Sequence, residues 1–150
     1  DAWYMGQNHR RFETANWKVY SGGETSGQLY GGNLCTLNLL QGTPYMPDLS
    51  DCILFLEDDE LVNPAIFARD LTSMLQTTTR IKGLAIGRFQ RASNMTEEQL
   101  HFILNKHPML KTIPVLYDVD FGHTQPIFTF PIGGTIHMNT KDMWIRVNIF

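Results

Sequence analysis

Apolar residues along the chain fall into short continuous runs that alternate with helical patterns. Residues 52–56 carry no polar group except one thiol, and Glu57 and Asp58 follow them directly. A short apolar run of this kind is typical of a strand that is buried on both faces. Similar runs at residues 83–87 and 113–117 predict two further strands of the same core sheet.

The segments between these runs have helical patterns, and each begins with a residue that can cap a helix. Asn33 can cap a first helix that ends before Gly42. Asn63, with proline at the next position, can start a second helix. Thr96 and Gln99 form a capping-box pattern, which predicts a third helix.

The carboxyl-terminal part has a different pattern, because apolar and polar residues alternate in it. This alternation at residues 134–138 and 143–149 predicts antiparallel strands, either at an edge of the core sheet or in a small separate sheet. Strands and helices are thus predicted to alternate in the middle of the chain, and the carboxyl-terminal part is predicted to contain strands without helices. We therefore expect an α/β fold with a mixed core sheet, flanking helices and a β-rich carboxyl-terminal segment.

The amino-terminal part gives a weaker signal. Residues 1–27 mix polar and aromatic positions and predict a linker with one strand near residues 17–20. The glycine- and serine-rich residues 21–27 predict a flexible connector. A short strand at residues 28–30 then begins the domain proper, which we place at residues 28–150.

Composition and charge narrow the class of protein. A chain of 150 residues that is 43% hydrophobic is long enough for one domain with its own core. The net charge is −3 and the basic residues are not clustered, so neither nucleic acid nor an anionic membrane is an expected partner. No apolar run approaches ~18 residues, so no membrane span is expected. Two cysteines favour a reduced, intracellular setting.

Two residues are candidates for chemistry. Glu57 follows a buried strand, where open α/β sheets place their functional groups. His123 lies in a turn between a predicted strand and a proline, and histidine is the usual general base near neutral pH. Each residue could instead be a solvated loop residue. The acidic residues 57–60 could also bind a divalent cation, but their spacing matches no metal-binding motif, so no metal or cofactor is expected.

A nucleophile is not evident in the sequence. Cys35 and Cys52 lie in apolar contexts and are predicted to be small buried residues. A serine nucleophile of the α/β-hydrolase kind needs an elbow such as GxSxG, which the chain lacks. The residues therefore supply a candidate acid and a candidate base but no candidate nucleophile.

Five spaced motifs give the chain a resemblance to a known family. They are Gly-Gly-Asn-Leu at 31–34, Gly-Thr-Pro-Tyr-Met-Pro at 42–47, Ile-Leu-Phe-Leu-Glu-Asp at 53–58, Phe-Gly-His-Thr-x-Pro at 121–126 and Phe-Pro-Ile-Gly at 130–133. In this order they resemble the carboxyl-terminal domain of the LD-carboxypeptidase family of serine peptidases, and most of all its microcin C immunity branch. The resemblance implies a swivelling β/β/α domain.

The resemblance also implies roles for individual residues. Glu57 and His123 would be the acid and the base of a Ser-His-Glu triad, and Asn33 would position the substrate. Asp58 is expected to support the triad from outside it or to be solvated. Trp17 is a candidate for stacking on a nucleobase of a peptide-nucleotide substrate.

The serine of this family lies in an amino-terminal domain, so we expect residues 1–150 alone to be inactive as a peptidase. The resemblance implies a murein peptide or a peptide-nucleotide antibiotic as substrate, a cytoplasmic location and a homodimer. The alternative from the residues alone is a non-catalytic α/β module that binds a peptide or a partner subunit. Such a module would expose apolar side chains on its docking surface.

Overall fold

The structure is a computed structural model that describes residues 9–14, 16–78 and 80–148. In this part of the chain, strands and helices alternate as the sequence predicts, and the α/β class is confirmed. The strands are β1 (His9–Glu13), β2 (Lys18–Ser21), β3 (Glu24–Asn33), β4 (Ile53–Glu57), β5 (Gly83–Gly87), β6 (Val115–Val119), β7 (Thr135–Asn139) and β8 (Trp144–Asn148). The helices are α1 (Leu34–Asn38), α2 (Pro64–Thr77) and α3 (Glu97–Asn105), with short 3-10 turns at Arg91–Ser93 and Pro108–Lys111.

All of these strands belong to one mixed sheet with the order β1-β8-β7-β3-β4-β5-β6-β2. Strands β3 to β6 run parallel to one another, whereas β1, β8 and β7 form an antiparallel half and β2 pairs antiparallel with β6. Strand β3 joins the halves, because its first part pairs with β7 and its second part pairs with β4. The carboxyl-terminal strands thus extend the core sheet instead of forming a separate one.

The amino-terminal part differs from the prediction. The flexible connector predicted at residues 21–27 is wrong for residues 24–27, which are the start of strand β3. Its serines and glycines carry no hydrophobic signal, and pairing with β7 is what makes the segment extended. Strands β1 and β2 also lie within the predicted linker, while residues 1–8 lie outside the described part.

Hydrophobic cores cover both faces of the sheet, and β4 contributes to both. Leu54 and Leu56 face the core that is formed with the helices, whereas Ile53 and Phe55 face the opposite core. Every residue of β4 is buried, as the unbroken apolar run predicts. Among the described residues, no helix has the length and apolar character needed to cross a bilayer.

The predicted helix starts are confirmed. The side chain of Asn33 caps α1, that of Asn63 caps α2, and Thr96 and Gln99 form a reciprocal capping box on α3. Helix α1 is shorter than predicted and ends at Asn38. The chain continues from there to Thr43 in tight turns with i to i+3 hydrogen bonds.

Candidate active site at the carboxyl edge of the parallel strands

The parallel strands end together at one edge of the sheet, and the candidate residues lie there. Asn33 is the last residue of β3 and pairs in register with Glu57, the last residue of β4. Gly87 ends β5 opposite Val119, which ends β6. The segments after these strands therefore start side by side, as expected for the functional edge of an open α/β sheet.

Glu57 and His123 meet at this edge, as predicted. The Nδ1–H group of His123 donates a 2.6 Å hydrogen bond to the Oε2 atom of Glu57. The Glu57 side chain is 10% exposed and that of His123 is 48% exposed. In the described part of the chain, no hydrogen bond occupies Nε2 of His123. The arrangement is a buried carboxylate that orients a half-exposed imidazole whose second nitrogen has no partner among the described residues.

The carboxylate of Glu57 also changes the basicity of the imidazole. Its hydrogen bond raises the pKa of His123, and the negative charges of Glu57, Asp59 and Asp58 act in the same direction. Partial burial of the ring opposes this rise. The dominant effect is that Glu57 stabilises the imidazolium form, as the acid of a catalytic triad does.

Two glycines make room for the Glu57 side chain. A Cβ atom on Gly122 would lie 2.8 Å from Oε2 of Glu57, and one on Gly87 would lie 3.0 Å from Cβ of Glu57. Gly122 also has a φ of +95°, which favours glycine. The absence of side chains at both positions lets the carboxylate lie between β5 and the segment that carries His123.

Asn33 lies at the same edge, but most of its hydrogen-bonding capacity is in use. Its Oδ1 atom accepts a 2.9 Å bond from the backbone N–H of Thr36, and its Nδ2 atom donates a 3.1 Å bond to Oδ1 of Asp58. An amide NH2 group has two N–H donors, so one remains for another partner. Asn33 therefore holds the turn between β3 and α1 in a fixed orientation.

Asp58 is buried, so of the two alternatives predicted for it the solvated one is wrong. It is 2% exposed, and its Oδ2 atom has no hydrogen-bond partner among the described residues. Burial raises the pKa of Asp58 to about 6, and the negative charges of Glu57, Asp59 and Asp70 add to the rise, while a hydrogen bond from the backbone of Cys35 opposes it. This carboxyl group supports the Asn33 amide next to the Glu57–His123 pair.

Trp17 does not have the predicted stacking role. Its side chain is 3% exposed, and its Nε1–H group donates a 3.0 Å bond to Oδ2 of Asp120. The indole also packs against the ring of Phe128 at a centroid distance of 5.8 Å. Trp17 is therefore a core residue under the segment that carries His123, and its ring faces are covered.

The cysteines differ from the prediction in one case. Cys35 is exposed in the first turn of α1, so its predicted burial is wrong, because its side chain projects from the short helix and not into the core. Cys52 is buried, as predicted, and burial raises the pKa of its thiol to about 12. A thiol with this pKa is protonated at neutral pH and is a poor nucleophile.

Other candidates are separate from this edge. His137 lies on β7, where it bonds to Glu24 at 2.6 Å. His101 is half-buried and bonds to the hydroxyl of Tyr117 at 3.0 Å. Within the described ranges, no group of three or more His, Cys, Asp and Glu side chains has a metal-binding arrangement.

One residue at this edge was not anticipated from the sequence. Arg88 follows β5 directly and bonds to the segment around His123. The sequence could have identified Arg88, because it follows the apolar run 83–87 just as Glu57 follows the run 52–56.

The chain is similar to one known protein family and to proteins of known structure. A family model described as the LD-carboxypeptidase C-terminal domain matches residues 26–138. The putative carboxypeptidase YocD of Bacillus subtilis is 42% identical over 152 residues, which cover 97% of this chain and 47% of YocD. The crystal structure of an MccF-like protein from Bacillus anthracis has a TM-score of 0.85 and 38% identity and covers 100% of this chain and 48% of that one.

A second relative has been solved with a ligand. The microcin C7 self-immunity protein MccF of Escherichia coli is 31% identical over 123 residues, which cover 79% of this chain and 35% of MccF. The structure of MccF in complex with glutamyl sulfamoyl guanosine has a TM-score of 0.73 and 28% identity and covers 90% of this chain and 41% of that one. The chain thus spans about half or less of the length of the proteins it matches.

Proposed function

Because the chain belongs to the LD-carboxypeptidase family and corresponds to its carboxyl-terminal domain, we propose that it supplies the acid and the base of a Ser-His-Glu triad. His123 is the base and Glu57 is the acid. The observation that carries the proposal is the 2.6 Å bond from Nδ1 of His123 to Glu57, which leaves Nε2 without a partner among the described residues. The activity is the hydrolysis of an amide bond near the carboxyl end of a peptide.

The chemistry follows from this geometry. Nε2 of His123 takes the proton of a serine hydroxyl as the oxygen attacks the amide carbonyl, and then returns the proton to the leaving amine. Water later hydrolyses the acyl-enzyme with the same histidine as base. Glu57 keeps the proton on Nδ1, which fixes the tautomer, and stabilises the imidazolium that forms.

The nucleophile belongs to the other half of the protein. The chain spans 47% of YocD, and in the family the serine lies in the amino-terminal domain. Large apolar side chains lie on segments that follow the site strands: Leu61 after β4 is 80% exposed, and Ile132 after β6 is 55% exposed. Exposed apolar side chains on the segments that follow the site strands support packing against a second domain. Isolated residues 1–150 would have no peptidase activity.

Asn33 is the proposed substrate-binding residue. Its one remaining amide N–H can donate to an acceptor on the substrate, such as a carbonyl or a carboxylate. Asp58 holds the amide in this orientation through a 3.1 Å bond. The substrate class is a peptide with an anionic end, either a murein peptide or a peptide-nucleotide conjugate. The ligand in the MccF structure, glutamyl sulfamoyl guanosine, supports the second class.

The test uses the product of the complete reading frame that encodes this chain. Hydrolysis of a murein tetrapeptide and of an aminoacyl nucleotide conjugate is measured for the wild type, His123→Ala and His137→Ala. His137 is a matched control, because it also bonds to a glutamate at 2.6 Å but lies on β7. His123→Ala should lower kcat/KM by about 10³-fold or more, and His137→Ala should leave it unchanged.

Two results would contradict the proposal. One is wild-type activity in the His123→Ala variant. The other is hydrolysis by residues 1–150 alone that is lost in Cys35→Ala, since the exposed thiol would then be the nucleophile. If the complete protein hydrolyses neither substrate but binds one of them, the alternative of a binding module would replace the peptidase.

A further inference from the structure

The segment that carries His123 has no regular structure of its own. Residues 120–134 connect β6 to β7 without a helix or strand. Its backbone–backbone hydrogen bonds are made by residues 120, 121, 128, 131, 133 and 134, so the position of residues 122–127 depends on side-chain contacts. The imidazole of His123 is about half exposed and contacts Glu57 through a single hydrogen bond. Something other than packing of the ring must therefore hold it in place.

Arg88 lies at the centre of this edge. It follows Gly87 at the end of β5, and β5 lies in the sheet between β4, which ends in Glu57, and β6, which leads to the His123 segment. Its side chain is 21% exposed, so the guanidinium is largely withdrawn from water. A buried guanidinium needs acceptors for its donors, because an unpaired one is strongly destabilising.

The acceptors of Arg88 flank His123 on both sides along the chain. Nε donates to Oγ1 of Thr124 at 3.2 Å, and Nη2 donates to the carbonyl oxygen of Pro126 at 2.7 Å. Nη1 donates to Oδ1 of Asp120, whose side chain is 9% exposed. One planar group thus connects residues before and after His123.

The Asp120 end of this connection is itself anchored. Its Oδ2 atom accepts the 3.0 Å bond from Trp17, and its backbone oxygen accepts a 3.0 Å bond from the N–H of Phe128. Trp17 is a core residue, so Asp120 cannot move without disturbing the core. Arg88 therefore links the His123 segment to the hydrophobic core through Asp120 and Trp17.

We propose that Arg88 is a positioning residue that holds residues 120–126 so that His123 stays hydrogen-bonded to Glu57. Only the catalytic consequence rests on the proposed peptidase function, since the effect on the imidazole is a property of the fold. Lysine cannot replace the arginine, because one ammonium group lacks the planar fork that reaches Thr124 and Pro126 together.

The proposal predicts the sign of a measurable effect on His123. Loss of the positive charge at position 88 would by itself raise the pKa of His123, whereas loss of the contact with Glu57 would lower it. The negative charges that act on the ring are those of Glu57, Asp59 and Asp58, and the Arg88–Asp120 ion pair involves a residue three positions before His123. Arg88→Lys keeps the positive charge but removes the planar group. A fall in the pKa of His123 in this variant therefore reports loss of its contact with Glu57.

The experiment measures the His123 titration by NMR in the complete protein, for the wild type, Arg88→Lys, Thr124→Val and Arg91→Lys. Arg91→Lys is the matched control, because Arg91 is exposed three positions further along. Hydrolysis is measured on the same samples. Thr124→Val removes one acceptor without changing any charge, and it keeps the test valid if Arg88→Lys does not fold.

In Arg88→Lys the pKa of His123 should fall, and kcat should fall by about 10- to 100-fold with KM nearly unchanged, because a shift of about 1 Å in a catalytic group has this effect. Thr124→Val should do the same to a smaller extent, and Arg91→Lys should do neither. The proposal is overturned if Arg88→Lys and Thr124→Val leave the titration as in the wild type, or if the pKa rises. If the titration shifts as expected in a protein without peptidase activity, the positioning role stands and the proposed function fails.

Discussion

Gly122 packs directly against the carboxylate of Glu57. A methyl group at Gly122 would lie 2.8 Å from Oε2, the atom that accepts the hydrogen bond from His123. Gly122→Ala should therefore displace the carboxylate and break the pair. The expected results are a lower pKa of His123 by NMR and a loss of stability in urea that exceeds the ~1 kcal/mol of a strained backbone.

Gly133 provides the control for this change. Its φ is +82°, close to the +95° of Gly122, but a methyl group at Gly133 would have no atom of the described residues within 4 Å. Gly133→Ala should show the backbone strain alone and leave the His123 titration unchanged. Equal effects of the two substitutions would mean that contact with Glu57 is unimportant.

The imidazole of His123 should titrate above the ordinary histidine range, and Glu57→Gln should return its pKa to that range or below. The amide removes the charged acceptor, while partial burial of the ring, which lowers the pKa, remains. Because folding raises this pKa, the pair stabilises the fold below the unfolded pKa, and this contribution is lost as the pH rises through the folded pKa. The measurement is a 13C- or 1H-detected titration, with His137 as an internal reference; an unchanged His123 titration would contradict the pairing.

Asp58→Asn should stabilise the protein at pH 8 more than at pH 5. Burial raises the pKa of Asp58 to about 6, so the folded state binds this proton more tightly than the unfolded state. The wild type should therefore lose stability as the pH rises from 5 to 8, by about 1–2 kcal/mol from this group. Urea unfolding at both pH values checks the difference. A constant difference between variant and wild type would show that Asp58 is ionised throughout.

The N-cap role of Asn33 and its proposed role in substrate binding can be separated by substitution. Asn33→Ser keeps an N-cap oxygen for α1 but loses the amide that bonds to Asp58 and faces the site. We expect it to keep the stability that the cap supplies, to lose some stability because the buried Asp58 no longer has the Asn33 donor, and to raise KM. Asn33→Ala should in addition lose about 1 kcal/mol of stability, because the cap is gone. A serine variant with wild-type KM would exclude Asn33 from substrate binding.

The two thiols should react at very different rates. Cys35 is exposed, whereas Cys52 is buried with a thiol pKa of about 12. A thiol-specific reagent should therefore modify Cys35 quickly in the native protein and Cys52 only after unfolding. Mass spectrometry of the modified peptides identifies the site. Fast modification of Cys52 would mean that strand β4 opens readily.

The sequence predicted the features that depend on local pattern. The apolar run of β4, the capping residues Asn33 and Asn63 and the alternation in β7 and β8 each have a local physical cause, and the structure has all of them. The proximity of Glu57 and His123 was also predicted, from the resemblance to a family with a Ser-His-Glu triad, and the structure brings the two side chains together.

The errors concern features that depend on tertiary contacts. Residues 24–27 are extended because β7 lies beside them, and no property of their own sequence shows this. Trp17 was considered as a stacking platform, yet Asp120 and the core enclose it. Cys35 has an apolar neighbour in the chain but projects outward. For residues 24–27 and for Trp17 the deciding neighbour is remote in sequence.

The segment that carries His123 also determines how the whole sheet is connected. It leaves β6 and reaches β7 on the other side of β5, β4 and β3, with Phe130 packed on Phe55 of β4, and it docks there through backbone bonds between Leu29 and residues 133 and 134. His123 thus lies on a strap, residues 120–134, that connects the parallel half of the sheet to the antiparallel half. Lengthening or shortening this strap would disturb both the connection of β6 to β7 and the position of the His123 imidazole. Two separate features of the structure therefore limit its length.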